Sequence, residues 1–228
     1  MNEIITALFG NGMAEMYGNA VLITLKITLL STVISYLLGI PLGVLLYGTA
    51  QGSIFPNRPV NAVLGFIVNM IRSIPFIILL VLIQPFSKAL LGTKIGDDAF
   101  IFYLVFSAVP FVARMVESSL KEVNTGVIEA AHSMGSGTFQ LIWKVLLPEA
   151  KPSLIVGGAI AATTILGYTP MTYLIAGGGL GQLAIQYGLY RFQPEVMYIA
   201  SILLIILVQL MQEGLSLLAK KLDKRIRR

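Results

Sequence analysis

Five long apolar stretches, separated by short polar intervals, dominate the hydropathy pattern of the chain. A helix needs roughly 20 mostly apolar residues to cross a bilayer. The pattern therefore predicts an all-α polytopic membrane protein with five transmembrane helices and with its termini on opposite sides. The predicted helices run from about Val21 to Tyr47, Val60 to Ile83, Phe100 to Val116, Leu154 to Ala176 and Val196 to Leu218.

Prolines, glycines and a charge interrupt two of these stretches. Gly39, Pro41 and Gly43 predict that the first helix bends or ends near its C-terminus, because proline removes a backbone donor and its ring clashes with the preceding turn. Pro110 and Arg114 predict that the third helix is cut short. The third stretch is therefore the weakest membrane span of the set.

The longest polar interval, roughly Arg114 to Pro152, predicts a short helical hairpin. Asn124 or Thr125 can cap the start of its first helix, because the side chain accepts a hydrogen bond from a free backbone N–H. Gly135 and Gly137 can close that helix, since glycine readily takes the left-handed conformation found at helix C-termini.

A second helix and a surface with little side-chain bulk complete the predicted hairpin. Thr138 can cap the second helix, and Pro148 is expected to stop it. On the first helix, Ala130 and Ala131 leave little bulk beside the carboxylate of Glu129. Such a surface suits insertion into the groove of a partner protein. The alternative is an amphipathic hairpin that packs on the protein's own cytoplasmic end.

Composition narrows the class of protein. The 228-residue chain is 56% hydrophobic and 12% charged, with a mean hydropathy of +0.84, which is too apolar for a soluble domain. The absence of cysteine excludes disulfides and thiol chemistry, and a single histidine argues against a histidine-rich metal site. We expect an integral membrane protein with no metal or cofactor of its own.

No linker, low-complexity tract or clear internal repeat divides the sequence. The chain is therefore predicted to form one transmembrane domain over residues 1–228. Its N-terminus has no basic region, and its first apolar run is too long for the core of a signal peptide. We expect that run to be retained as a membrane helix.

Basic residues are distributed unevenly along the chain. If the C-terminus is cytoplasmic, the inner segments hold eleven Lys or Arg residues and the outer segments hold three. The positive-inside rule then predicts an outer N-terminus, a cytoplasmic C-terminus and a cytoplasmic hairpin. The basic tail should contact lipid headgroups rather than nucleic acid, because no aromatic residues lie between its charges. Its basic residues are Lys220, Lys221, Lys224, Arg225, Arg227 and Arg228.

The hairpin resembles the signature of the membrane-spanning subunits of bacterial ATP-binding-cassette importers. That signature reads Glu-Ala-Ala, three residues, Gly, nine residues, then an aliphatic residue, any residue, Leu and Pro. In the family the loop docks into a cleft of a cytoplasmic ATPase and is called the coupling helix. The resemblance therefore implies a coupling loop at about residues 117–152. The matching residues are Glu129, Ala130, Ala131, Gly135, Val145, Leu147 and Pro148.

The sequence also indicates that the energy source lies outside the chain. Every Asp and Glu lies at a helix end or in a loop, so no intramembrane carboxylate is available to couple transport to protons. The Gly-x-x-x-x-Gly-Lys-Ser/Thr loop that binds nucleotide phosphates is absent. The glycine cluster from Gly177 to Gly181 lacks the lysine, and we interpret it as a flexible external turn. A separate ATPase subunit is therefore expected.

Arg72 and Ser73 lie near the middle of the second stretch, before Pro75. A charge at that depth faces the bundle interior or water, so these residues are candidates for the lining of a substrate path. Arg72 would then attract a substrate carboxylate. The alternative is a structural arginine that bonds carbonyls freed by the proline kink.

A second candidate segment surrounds Pro170 in the fourth stretch. A helix broken at membrane depth is tolerated where it lines a cavity or is covered by protein. Its side chains are therefore candidates for a substrate path or gate, and the alternative is ordinary packing at a kink. The candidates are Tyr168, Thr169, Met171 and Thr172.

Over most of its length the chain is similar to the five-helix permeases of methionine uptake systems. The resemblance implies the type I importer permease fold in the bacterial inner membrane and a homodimer of permeases. It also implies two cytoplasmic ATPase subunits, which bind ATP and Mg, and an external lipoprotein that delivers methionine. The matching stretches include Gly39–Tyr47, Asn57–Pro59, Arg72–Leu79, Lys144–Ala150 and Tyr190–Gln193.

The chain departs from that family at Pro170 and Tyr173, where small residues and glycine are more usual. Extra bulk near a gate leaves the ligand open, and the alternatives are another amino acid, cystine or a short peptide. A different class of protein, an ATP-independent channel or a membrane scaffold, is the alternative to an importer subunit.

Overall fold

The computed structural model describes residues 12–222, and their side chains as far as residue 217. The basic tail from Lys220 to Arg228 lies outside the described side chains. Within the described range the chain forms helices joined by turns, without strands. The α-helices are α1 (Met13–Thr49), α2 (Arg58–Ser73), α3 (Phe76–Leu82), α4 (Gln84–Leu91), α5 (Asp97–Lys121), α6 (Thr125–Ser133), α7 (Thr138–Gln140), α8 (Leu147–Tyr168), α9 (Leu180–Leu183) and α10 (Pro194–Leu222).

Three other helical segments connect these elements. A π-helical segment, Leu141–Leu146, joins α7 to α8. A 3-10 helix, Thr169–Ile175, follows α8. A second π-helical segment, Ala184–Tyr190, continues α9 towards α10. The fourth apolar stretch is thus one helical run that changes from α to 3-10 geometry beside Pro170.

The apolar helices agree with the predicted membrane spans. Among the described residues, four helical runs are long and apolar enough to cross a membrane, and α2 with α3 gives a fifth if that pair counts as one span. The pair is interrupted because Pro75 disfavours a helical conformation of Ile74, which is extended at φ −85° and ψ 125°. The predicted all-α polytopic fold is confirmed.

α1 and α5 are longer than predicted. α1 continues through Pro41, so an end at that proline is wrong, whereas a bend there stays a prediction. α5 continues through Pro110 and past Arg114, so its predicted early end is wrong. A proline inside a helix costs about 3 kcal/mol. In a membrane, packing against neighbouring helices and re-satisfied backbone groups offset this cost, and Val116 and Leu120 are fully buried after the proline of α5. Packing therefore outweighs the local cost.

The glycines of α1 make room for α5 rather than ending the helix. A Cβ atom at Gly39 would lie 2.5 Å from Cγ1 of Val112. One at Gly43 would lie 2.6 Å from the carbonyl oxygen of Ala113. Glycines four residues apart occupy one face of a helix, and they allow two helices to approach closely in a membrane.

The hairpin is present, but its second helix does not stop at Pro148. α7, the π-helical segment and α8 follow one another without a break. The N–H of Leu147 bonds the carbonyl of Ile142, five residues earlier. This wider turn directly precedes the proline, whose ring would clash with a carbonyl in a regular α turn. Gly137, rather than Thr138, occupies the N-cap position.

The chain divides into two compact units. The first unit comprises Met1–Val33, Pro75–Phe106 and Ala162–Gln212, and the second comprises Ile34–Ile74, Ser107–Ala161 and Glu213–Arg228. One domain over residues 1–228 stays a prediction. The first unit has a core of Tyr17, Ala20, Leu180, Leu183, Val196 and Ala200. The second has a core of Val112, Val116, Leu120, Val123, Ala131, Leu141, Leu146, Ala150 and Ala161.

The glycine cluster from Gly177 to Gly181 is an ordered turn of the first unit. The N–H of Gly178 donates to Oδ1 of Asp97 at 2.7 Å. The N–H of Leu180 donates to Oγ1 of Thr24 at 2.9 Å. The turn, interpreted from sequence as flexible, is therefore held by side chains from α1 and α5.

Candidate functional site

The first helix of the hairpin, α6, is closed at both ends by local hydrogen bonds. Oδ1 of Asn124 accepts a backbone N–H at 2.8 Å, which confirms the predicted N-cap. At the other end, Gly135 has φ 79°, and its N–H donates to the carbonyl of His132 at 2.9 Å. The N–H of Ser136 donates to the carbonyl of Ala131 at 3.1 Å. Together these bonds form a Schellman motif, which favours glycine at position 135.

The signature residues of the hairpin face in different directions. Ala131 is buried in the core of the second unit, with 2% of its surface exposed. Glu129, Ala130, Gly135 and Pro148 are exposed. The hairpin therefore packs on the protein's own core through Ala131, while the other signature residues are exposed. Docking of those exposed residues into a partner stays a prediction.

The hairpin also exposes large apolar side chains that the sequence pattern did not predict. Met134 is 79% exposed, Phe139 is 72% exposed and Trp143 is 58% exposed. The two aromatic rings lie with their centroids 6.0 Å apart. The available signal was a tryptophan, the one in the chain, in an otherwise polar interval. Exposed aromatic clusters are typical of protein interfaces.

A buried carboxylate stabilises the helix that leads into the hairpin. Glu117 accepts hydrogen bonds from Arg114 and from Lys121, both at 2.7 Å. The other guanidinium nitrogen of Arg114 donates to Oδ1 of Asn69 at 3.0 Å and to the carbonyl of Gly65 at 3.2 Å. These bonds connect α5 with α2. From the sequence, Arg114 predicted only an interruption of the helix, and its bonds to Gly65 and Asn69 were not predicted.

Polar contacts also connect both ends of the hairpin within the second unit. The hydroxyls of Ser119 and Ser153 are 2.9 Å apart, and Ser153 donates to Oε2 of Glu122 at 3.0 Å. The hydroxyl of Tyr36 donates to the carbonyl of Leu154 at 3.0 Å. α1 and α5 therefore hold α8 just beyond the hairpin.

Arg72 and Ser73 lie at the end of α2, and both are exposed. Oγ of Ser73 donates to the carbonyl of Asn69 at 2.8 Å. The side chain of Arg72 makes no hydrogen bond or ion pair with another described residue. Within the described chain, Arg72 therefore does not act as a structural arginine that bonds carbonyls freed by the proline. Its assignment to a substrate path stays a prediction.

The candidates around Pro170 lie in the first unit, and two of them are bonded within their own helix. Oγ1 of Thr169 donates to the carbonyl of Leu166 at 2.7 Å, and Oγ1 of Thr172 donates to the carbonyl of Thr169 at 2.9 Å. Both threonines are buried. For these two threonines, the bonding favours the alternative of ordinary packing at a kink over a role in lining a path.

Tyr168 and Met171 differ from the threonines because each is partly exposed. The ring of Tyr168 stacks on Phe76 with centroids 4.7 Å apart. No group of three or more His, Asp or Glu side chains that could hold a metal ion occurs between residues 12 and 217. The chemistry of the candidate site is therefore hydrogen bonding and apolar contact.

Long apolar helices and an ordered polar hairpin with exposed apolar side chains define a polytopic membrane protein. Residues 39–228 match the family described as "Binding-protein-dependent transport system inner membrane component". The chain belongs to this family of transporter membrane subunits. The predicted inner-membrane location is thereby confirmed.

Individual relatives agree with this assignment. The chain is 43% identical over 202 residues to a probable D-methionine transport system permease protein MetI of Vibrio cholerae, covering 89% of this chain and 90% of that protein. It is 42% identical over 181 residues to the methionine import system permease protein MetP of Bacillus subtilis, covering 79% and 82%.

A solved structure shares the fold. A chain of an inward-facing conformation of the MetNI methionine ABC transporter matches with a TM-score of 0.92 and 41% identity. The match covers 95% of this chain and 100% of that chain. The predicted importer permease fold is confirmed.

Proposed function

We propose that this chain is the permease subunit of an ATP-driven importer that takes up methionine. Relatives named as methionine permeases match most of its length, and a methionine transporter chain shares its fold. The observation that carries the proposal is the hairpin, which exposes Glu129 and Ala130 and also exposes three large apolar residues, Met134, Phe139 and Trp143. The second unit leaves these side chains unburied.

In the proposed topology the N-terminus is outside and the C-terminus is cytoplasmic. The excess of basic residues in the inner segments, eleven against three, supports this orientation. The hairpin then lies on the side where ATP is available. Two such permeases pair as a homodimer, and each receives one cytoplasmic ATPase that binds ATP and Mg. An external lipoprotein delivers the substrate.

The hairpin transmits force because it is ordered at both ends and anchored at its centre. Ala131 places α6 in the same core as Val116 of α5 and Ala161 of α8. A displacement of the ATPase that moves Glu129 therefore moves α5 and α8 with it. Packed cores respond as bodies rather than deforming continuously. ATP-driven closure of the ATPases thus changes the access of the substrate path.

We assign the substrate path to the side chains that the sequence predicted for it. Tyr168 and Met171 offer a partly exposed ring and thioether beside the 3-10 helix. Thr169 and Thr172 position that helix through their hydroxyls. Arg72 and Ser73 contribute an exposed cation and hydroxyl at the end of α2. A cation without a carboxylate partner suits the carboxylate of an amino acid.

Uptake of radiolabelled L-methionine into proteoliposomes tests the proposal. The vesicles contain this permease, its partner ATPase and its binding protein, with ATP inside or absent. We expect ATP-dependent accumulation with the natural chain. Glu129→Arg should abolish accumulation while the permease still folds, because it reverses the charge at an exposed position of the docking surface.

Glu15→Arg is the matched control, because Glu15 is also exposed but lies in the first turn of α1. It should transport normally. Uptake that is unchanged by Glu129→Arg would refute the coupling assignment. If the complex assembles and hydrolyses ATP but takes up no methionine, the assignment of methionine as the substrate is refuted. The assignment to an ATP-driven importer would then stand.

A further inference from the structure

A cavity of about 410 Å³ lies in the first unit, beside the segment that follows the 3-10 helix. Its volume falls within the range of about 300–1,000 Å³ typical of small-molecule sites. The lining includes one cation, two amides and two phenols, and no carboxylate. The lining residues are Tyr173, Ala176, Gln182, Gln186, Tyr190 and Arg191.

The cation of the cavity is held without using its hydrogen-bond donors. The guanidinium carbon of Arg191 lies 4.4 Å from the centroid of the Tyr187 ring. Its backbone N–H donates to the carbonyl of Gln186 at 3.2 Å. No described carboxylate pairs with Arg191. A guanidinium in this state presents a planar set of donors that fits a carboxylate.

The two amides are oriented by each other. Nε2 of Gln182 donates to Oε1 of Gln186. Each amide has one acceptor oxygen and a nitrogen with two donors. The bond therefore leaves Oε1 of Gln182 as an acceptor and Nε2 of Gln186 as a donor. An acceptor and a donor side by side complement the ammonium and carboxylate of a free α-amino acid.

Two aromatic rings form the apolar part of the wall. The rings of Tyr173 and Tyr190 have centroids 6.3 Å apart and planes inclined by 47°. Aromatic rings pack well against aliphatic groups, and they make favourable contacts with a thioether sulfur. This wall suits an uncharged side chain such as that of methionine.

The backbone around the cavity is unusual in two independent ways. Ala176, which lines it, has φ 52°, and Phe192, next to Arg191, has φ 55°. They are the two non-glycine residues with positive φ within the described range. Gln186 lies in the π-helical segment Ala184–Tyr190. Strained residues and π-helical turns are concentrated at functional sites.

We propose that this cavity binds a free α-amino acid with an uncharged side chain. Arg191 binds the carboxylate, Oε1 of Gln182 accepts from the ammonium, and the side chain lies along Tyr173 and Tyr190. The inference rests on the proposed function, because it gives the importer a substrate site. The residues of this site differ from the candidates at Arg72 and around Pro170.

Equilibrium binding of radiolabelled L-methionine tests the site directly. The sample is the detergent-purified complex of the permease with its ATPase, without ATP and without the binding protein. We expect saturable binding that Arg191→Gln weakens at least about tenfold and that Arg191→Lys partly restores, because a charge-assisted bond is lost and regained. Lys88→Gln, which removes an exposed cation on α4, should change nothing. Methionine methyl ester, which has no carboxylate, should compete at least about tenfold more weakly than methionine.

Several results would overturn the inference. Binding that Arg191→Gln leaves unchanged in a complex that still holds its ATPase would do so, as would equal competition by the methyl ester. Absence of saturable methionine binding to the natural complex would overturn it as well. If Arg191→Gln takes up methionine with an unchanged KM, the cavity is not the substrate site. The proposed function as a methionine importer would then stand. If the natural complex binds methionine saturably but takes up none, the proposed function is refuted and the binding site stands.

Discussion

The buried carboxylate of Glu117 on α5 allows a quantitative test of what stabilises this part of the second unit. Glu117 has a side chain that is 8% exposed, and it is bonded at 2.7 Å by two cations of different burial. The side chain of Arg114 is 26% exposed, whereas that of Lys121 is 57% exposed. Arg114→Gln and Lys121→Gln therefore each remove one cation from the same carboxylate, but from different environments.

The expected losses of stability differ by several-fold. Removing one partner of a buried ion pair costs about 3–5 kcal/mol. Arg114 is partly solvated and Lys121 still pairs with Glu117, so we expect the lower end for Arg114→Gln. That loss, about 3 kcal/mol, includes the bonds of Arg114 to Asn69 and Gly65, since a hydrogen bond to a charged group contributes about 1.5–3 kcal/mol. An exposed pair contributes less than about 1 kcal/mol, which is the expectation for Lys121→Gln. For a chain of this size 1 kcal/mol shifts the Tm by about 2–4 °C. Arg114→Gln should therefore lower the Tm by about 6–12 °C.

Thermal unfolding of the detergent-purified permease, followed by circular dichroism, measures these losses. The double variant Arg114→Gln with Glu117→Gln is the informative control. It removes both charges and leaves no buried carboxylate short of a partner, so it should be more stable than Arg114→Gln alone. Equal losses for Arg114→Gln and Lys121→Gln, or a double variant less stable than Arg114→Gln, would refute the reasoning.

Two further substitutions test packing and hydrogen bonding in the same unfolding assay. Gly43→Ala should cost about 1–3 kcal/mol, because the new Cβ would lie 2.6 Å from the carbonyl oxygen of Ala113. Gly18→Ala, with nothing within 4 Å, should not destabilise and should add up to about 1 kcal/mol of stability through helix propensity. Equal effects of the two substitutions would contradict the close approach of α1 and α5. Thr24→Val should cost about 1–3 kcal/mol, because it removes the acceptor of the buried N–H of Leu180. An unchanged Tm would show that the turn is held by other contacts.

Features set by neighbours in the sequence were predictable. The apolar stretches predicted the helices because a membrane span depends on length and hydropathy alone. Asn124 and Gly135 predicted both ends of α6, because a cap and a Schellman motif bond groups within a few residues of each other. The hairpin and its signature could therefore be located from the order of the residues alone.

Local rules failed where distant groups decide the outcome. Pro41, Pro110 and Pro148 were expected to end or shorten helices, since a rule based on neighbours counts the lost backbone bond but not the packing of the flanking turns. The spacing of Arg114 and Glu117 is local, but the bond from Arg114 to Asn69, 45 residues away, is not, and a local rule counts Arg114 only as an interruption. A charge that is costly alone is stabilised once such partners are present.

The sequence by itself determined that this chain is a helical membrane protein with a capped polar hairpin, because hydropathy and capping are local properties. Only the tertiary structure decided which hairpin residues are exposed and where a ligand could bind. Ala130 and Ala131 are identical in chemistry, yet packing buries one and exposes the other. The cavity at Arg191 follows a turn that Asp97 and Thr24 hold from 81 and 156 residues away. No local pattern encodes contacts of that range, because they form only when the helices pack.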